Sequence, residues 1–150
     1  MKDRFAGQRV LLEKLKEQRL IAGNADLAKQ VASFGELVQV PAGTAIIRQG
    51  NADNDFYLIL EGAFDIVVND RVVASKLPND YVGEMAAIQS IPRRSASVVA
   101  RGPALVMKLS EPQFRELSAK YPQMLLYIAR ELARRQEQRN ARFQELYGAV

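Results

Sequence analysis

The sequence predicts an α+β domain: a small β-barrel or jelly roll of about eight strands, with helices ahead of it and a long helix behind. Three observations carry this. Apolar residues recur at helical spacing at both ends of the chain. Between them the pattern shortens to runs rich in Val, Ile, Leu, Phe and Tyr. Gly, Pro, Asn and Asp punctuate those runs at intervals of roughly 8–12 residues. With 150 residues in all, the chain fits one domain, 1–150, with N-terminal helices over 5–35, the roll over 36–110 and C-terminal helices over 111–147.

The first helix is expected from Arg9 to Leu20, where Val10, Leu11, Leu12, Leu15 and Leu20 oppose Glu13, Lys14, Lys16 and Glu17. Gly23 ends it, and Asn24 is the expected N-cap of a second helix presenting Leu27, Val31 and Phe34. Strands follow at Leu37–Val40, Ala45–Arg48, Phe56–Leu60, Ala63–Val68 and Arg71–Lys76, the last two joined by an Asn69-Asp70 hairpin turn. Ser97–Ala100 and Leu105–Leu109 complete the roll. Ser110 caps the next helix, with Pro112 in its first turn, and Tyr121-Pro122 breaks it. A long helix then runs from about Pro122 to Leu146, with an apolar stripe of Leu125, Ile128 and Leu132. The stripe turns polar at Arg135 and Arg139 and resumes at Phe143 and Leu146, as core or as a seam between copies.

Composition excludes several kinds of chemistry. The chain has no Cys and no His. That removes thiol nucleophiles, zinc–thiolate sites, Ser-His-Asp triads and His-ligated metals. Its carboxylates are scattered, and no Walker loop or EF-hand is visible. No catalytic residue, metal ligand or cofactor is therefore expected. No apolar run reaches the length of a membrane span, and the N-terminus lacks a signal-peptide pattern, so a cytoplasmic protein is expected. The net charge of +4 fits either an ordinary basic surface or attraction for a phosphorylated ligand.

The most informative segment runs from Val82 to Val98. Glu84 follows Gly83 at the start of a short helical run, and Arg94 precedes Ser95 and Ala96. A phosphodiester needs a planar cation that stays charged, which Arg94 offers with the Ser95 hydroxyl beside it. Backbone N–H groups of Met85 and Ala86 at the helix start favour an anion. Gly83, Ala86 and Ala96 allow close backbone approach, and Glu84 can accept from a ribose hydroxyl. Each also has a plain structural reading: Glu84 as a helix-start residue, Arg94 as a solvated strand-edge charge, Gly83 as a turn. Taken together they describe a pocket for a ribose joined to a phosphate. Arg94→Ala is then expected to lose about 2–5 kcal/mol of ligand binding while leaving folding nearly intact.

Gly83-Glu84-Met85-Ala86 followed by Arg94-Ser95-Ala96-Ser97-Val98 resembles the phosphate-binding cassette of cyclic nucleotide-binding domains. That family includes catabolite activators, kinase A regulatory subunits and cyclic-nucleotide-gated channels, and the spacing here is of the catabolite-activator type. The resemblance extends to Pro41-Ala42-Gly43 through Gly50, the Tyr57-to-Gly62 strand and Ala133-Arg134-Arg135. It implies a 3′,5′-cyclic mononucleotide as ligand, with Glu84 on the ribose 2′-hydroxyl and Arg94 with Ser95 on the phosphate, Arg93 being the competing arginine. It further implies Ile66, Val73 and Ala74 along the base, and Arg139 and Asn140 where the long helix covers it. Base identity stays open.

The opening helices, the Gln49-to-Asp55 turn and the Leu132-to-Asn140 segment are similar to sensor domains of bacterial anti-phage effectors. Those join a cyclic nucleotide receptor to a TIR domain that cleaves NAD, and some answer cyclic CMP or cyclic UMP. The expectation is a receptor, itself no enzyme, that controls an output domain outside this chain and forms a homo-oligomer through its C-terminal helix. Membrane or direct nucleic-acid binding is not expected. Three rivals stand beside it: the sensing part of a catabolite-activator-type transcription factor without its helix-turn-helix, a cupin-like enzyme, and a scaffold with a degenerate site.

Overall fold

The computed structural model describes residues 2–89 and 92–148. Two helices, α1 (Lys2–Glu17) and α2 (Ala25–Phe34), precede strands β1 (Glu36–Val40), β2 (Ala45–Ile47), β3 (Phe56–Glu61), β4 (Phe64–Val68), β5 (Arg71–Lys76) and β6 (Tyr81–Val82). Helix α3 (Glu84–Gln89), strands β7 (Ser97–Ala100) and β8 (Ala104–Leu109), and helices α4 (Glu111–Lys120) and α5 (Gln123–Tyr147) follow. The strands form two four-stranded sheets, ordered β1-β8-β3-β6 and β2-β7-β4-β5, with antiparallel pairing throughout. This is the α+β roll that the sequence predicts.

Strand β3 shows how one segment serves two cores. Successive side chains point to opposite faces of a sheet. Phe56, Leu58 and Leu60 meet Leu109, Met107 and Tyr81 beneath the helices. Tyr57 and Ile59 point into the roll, against Ile47, Phe64, Val82, Val98 and Val106. Both faces are covered, so all five residues from Phe56 to Leu60 are buried. The aromatic rings of Phe56 and Phe114, 4.6 Å apart, tie the sheet to α4.

Local signals hold where short-range chemistry decides them. The Asn24 side chain accepts from Leu27 N at 3.0 Å. Ser110 and Gln113 form a reciprocal capping box. Asn69 and Asp70 both take positive φ, 49° and 65°, as a tight hairpin turn with the twist of its strands requires. The structure departs from the expected helix pattern in three places, the first being that α1 begins at Lys2 rather than at Arg9. Helix α1 stops at Glu17 rather than near Leu20. Gln18 is drawn inward, and its amide donates to Ile59 O at 3.0 Å and to Asn79 Oδ1 at 3.2 Å. Leu20 and Ile21 therefore enter the core from turns rather than from a helical stripe. On α5 the buried face is Met124 and Ile128, while Leu125 is exposed. Contacts with α4 and the sheet, not apolar spacing alone, set the rotation of that helix. Among the described residues no helix is long and apolar enough to cross a membrane.

Candidate functional site

A cavity of about 490 Å³ lies between the β4–β5 hairpin, the segment around α3 and the inward side of α5. It is reached from the residues upward through one turn. Gly83 has φ +90°, and a Cβ there would stand 2.5 Å from Asp55 O and 3.2 Å from Arg94 Nη1. Only glycine fits both the conformation and the space. The turn delivers Glu84, 8% exposed, to the start of α3. It also lets the Arg94 guanidinium pass behind the chain.

Arg94 is 5% exposed. Its backbone is pinned by the Gly50 turn, with Gly50 N donating to Arg94 O at 2.8 Å and Arg94 N to Asn51 O at 2.7 Å. Its Nη2 donates to Asp53 Oδ2 at 2.9 Å and to Asp55 O at 2.6 Å. Nε reaches Asp53 Oδ2 at 3.3 Å, and Nη1 reaches Gly83 O at 3.4 Å. A buried guanidinium requires such compensation. Four of its five N–H groups are thus engaged, and one on Nη1 remains for a ligand oxygen. Arg93 instead lies exposed and donates to Gly50 O at 2.9 Å.

Ten of the twelve expected site residues line this cavity: Gly83, Glu84, Met85 and Ala86; Arg94, Ser95 and Ala96; Ile66 and Ala74; and Arg139. Val73 and Asn140 do not. A β-bulge explains the first. Ile66 pairs with Ala74 and Val67 with Val72, so Val73 is the extra residue, 59% exposed. Asn140 is one step, about 100°, around the helix from Arg139 and is exposed.

The structure also adds residues that the motif does not name. Arg135 lines the cavity with its Nη1 3.6 Å from Glu84 Oε1, and its Nη2 lies 3.7 Å from Glu131. The sequence marks Arg135 beside Arg139 on the helix but does not place it at the ligand, and its i, i+4 spacing to Arg139 is the signal that could have done so. Asp53, beneath Arg94, has no local signal. Lys76 joins the lining two residues beyond Ala74 on β5, on the face that the bulge at Val73 sets. In all, four cations (Lys76, Arg94, Arg135, Arg139) face one carboxylate, Glu84, across the lining. That balance suits an anionic ligand. The neighbouring tyrosines stay protonated. Burial, then the carboxylates of Asp55 and Asp53, pushes Tyr57 up to about 12. Burial and the 2.7 Å bond to Glu131 push Tyr81 up as well. No group of three or more His, Cys, Asp or Glu residues suited to a metal ion occurs among the described residues.

Comparison with known proteins agrees with this geometry. Residues 37–121 match the model of the "Cyclic nucleotide-binding domain" family. The chain is 44% identical over 135 residues to the Pycsar effector protein BcPycTIR of Burkholderia cepacia, covering 90% of this chain and 45% of that protein. It spans about half the length of the curated relatives it matches. Among solved structures, the catabolite activator protein of Thermus thermophilus superposes with a TM-score of 0.73 at 25% identity, over 85% of this chain and 62% of that one. The regulatory domain of Toxoplasma gondii PKA, crystallised with cAMP, gives 0.69 at 27% identity, over 82% and 49%. With more than half of its residues matched by that family model, and with the cavity built on the cassette segment, the chain belongs to the cyclic nucleotide-binding domain family.

Proposed function

We propose that residues 1–150 act as a single receptor domain for a 3′,5′-cyclic mononucleotide and regulate a TIR effector in anti-phage defence, with cyclic UMP or cyclic CMP as the signal. The observation that carries the receptor part is that Arg94 and Glu84, buried to 5% and 8%, line one cavity. In this reading the free N–H of Arg94 and the Ser95 hydroxyl take the phosphate, and Glu84 accepts from the ribose 2′-hydroxyl. Ile66 and Ala74 flank the base, and Arg139 closes over it. The similarity to Pycsar effector proteins supports the output. The domain itself performs no catalysis; its work is to bind and to transmit.

Transmission runs through α5. Arg135 bridges Glu84 in the cavity to Glu131 on the helix, and Tyr81 holds Glu131 at 2.7 Å. Ligand at Glu84 and Arg139 therefore changes the contacts that set the helix angle. Farther along, Phe143, Leu146 and Tyr147 are 51%, 69% and 70% exposed, a surface suited to a second copy of the chain. Binding shifts the population between two arrangements of this helix, and a strong off-to-on shift takes about 5.5 kcal/mol of differential affinity.

Three measurements test this. Calorimetry with cyclic AMP, GMP, CMP and UMP should show binding of at least one, and Glu84→Ala should erase the preference for ribo over 2′-deoxy ligands. Equal loss for both sugars would remove Glu84 from the ribose. Ligand should also change hydrogen-exchange protection over 122–146 and the hydrodynamic size. If both stay constant, the helix is not the transmitter.

A further inference from the structure

We infer that Lys76, acting with Arg139, reads the base and selects a keto base, uracil or guanine, over an amino base, cytosine or adenine. The inference rests on the receptor reading above and adds the chemistry of selection to it.

Lys76 pairs with Phe64 across the β4–β5 ladder, two residues beyond the Ile66–Ala74 pair. Partners in an antiparallel pair share a face, and Phe64 is fully buried inside the roll. The Lys76 side chain therefore starts from the inner face of the sheet, and it lines the cavity. Its neighbour Ser75 also borders the cavity, but its side chain alternates to the other face, where Arg101 binds both Ser75 and Asp65. Among the described residues no carboxylate lies within ion-pair distance of Lys76 or of Arg139. Each other cation of the cavity has an acidic partner: Arg94 has Asp53, and Arg135 has Glu84 and Glu131. The two unpaired cations come from β5 and α5, the elements flanking the part of the cavity left over once phosphate and ribose are placed.

The side-chain acceptors of the lining are few: Glu84 is paired with Arg135, the Ser75 hydroxyl accepts from Arg101, and the Ser95 hydroxyl lies beside Arg94. Glu84 is the only carboxylate of the lining, which contains no Asn, Gln or Asp. Ammonium and guanidinium groups only donate hydrogen bonds. Uracil O4 and guanine O6 are acceptors, whereas the amino groups of cytosine and adenine at the matching ring positions are donors. A keto base thus satisfies Lys76 or Arg139, while an amino base sets donor against donor. A site built to bond one edge rejects the edge that leaves its polar groups unpaired.

The test is a calorimetric titration of the 150-residue chain with the four 3′,5′-cyclic nucleotides, compared within ring size. Cyclic UMP should bind at least about tenfold tighter than cyclic CMP, and cyclic GMP at least about tenfold tighter than cyclic AMP. Lys76→Met should weaken the keto ligands about tenfold while leaving the amino ligands within about twofold, and Lys76→Arg should keep the preference. A wild-type preference for amino bases, or a Lys76→Met variant that weakens all four alike, overturns base reading and leaves the receptor standing. Binding of none of the four overturns both. Unchanged thermal unfolding of Lys76→Met, whose native side chain is half-buried, separates lost contact from lost fold.

Discussion

Arg94→Ala should lose about 2–5 kcal/mol of cyclic nucleotide binding, roughly 30- to 4,000-fold in Kd, with the largest loss in the off-rate. The reason is geometric. The guanidinium is held by Asp53 and by the carbonyls of Asp55 and Gly83, and those bonds aim its remaining N–H at the cavity. No other cation of the lining is both fully buried and fixed in this way. The structure revises the sequence expectation that folding would stay nearly intact. Removing Arg94 strips Asp53 of its partner and leaves Asp55 O without its donor. The Asp53 side chain is 36% exposed, so water recovers part of the loss, and the stability cost is about 1–3 kcal/mol. Arg94→Lys separates the two effects. It retains the charge and loses the fork, so binding should fall while the fold is better kept. Calorimetry beside thermal unfolding reads both quantities. Binding by Arg94→Ala within about threefold of the wild type would show that the phosphate sits elsewhere.

Gly83→Ala should destabilise the fold by about 2–5 kcal/mol, through a left-handed backbone that L-residues disfavour and a collision that cannot relax. The colliding atom is a backbone oxygen, Asp55 O, 2.5 Å from the added Cβ. That same oxygen accepts from Arg94 Nη2. Displacing it moves the Arg94 guanidinium too, so stability and affinity should fall together. For a chain of this length the melting temperature should drop by roughly 4–20 °C. A drop smaller than about 2 °C would mean that the Asp55 strand entry yields freely, and the site would be softer than its hydrogen bonds indicate.

Much of the molecule is readable in short stretches of chain. Asn24 and Ser110 announce their helices because a cap bonds to a backbone N–H three residues on. Asn69-Asp70 announces its hairpin because the turn needs two residues that tolerate positive φ. The cassette is legible for the same reason: Gly83, Glu84, Arg94 and Ser95 lie within one short segment, and all four line the cavity. The end of α1 is not legible. It depends on Gln18 reaching Ile59 and Asn79, and no spacing within the helix encodes that.

The chain's own pattern thus settles the type of most elements, the turns between them and the cassette at the heart of the site, because each depends on neighbours a few residues away. Folding in space settles the rest. It buries Arg94 and leaves Arg93 outside, since Asp53, 41 residues earlier, supplies the compensating charge. It turns Ala74 and Lys76 inward and pushes Val73 out, since a bulge resets the alternation of β5. It brings Arg135 to Glu84 across 51 positions of sequence. Burial and ion pairing are properties of atoms close in space, and closeness in space appears only after the chain has folded.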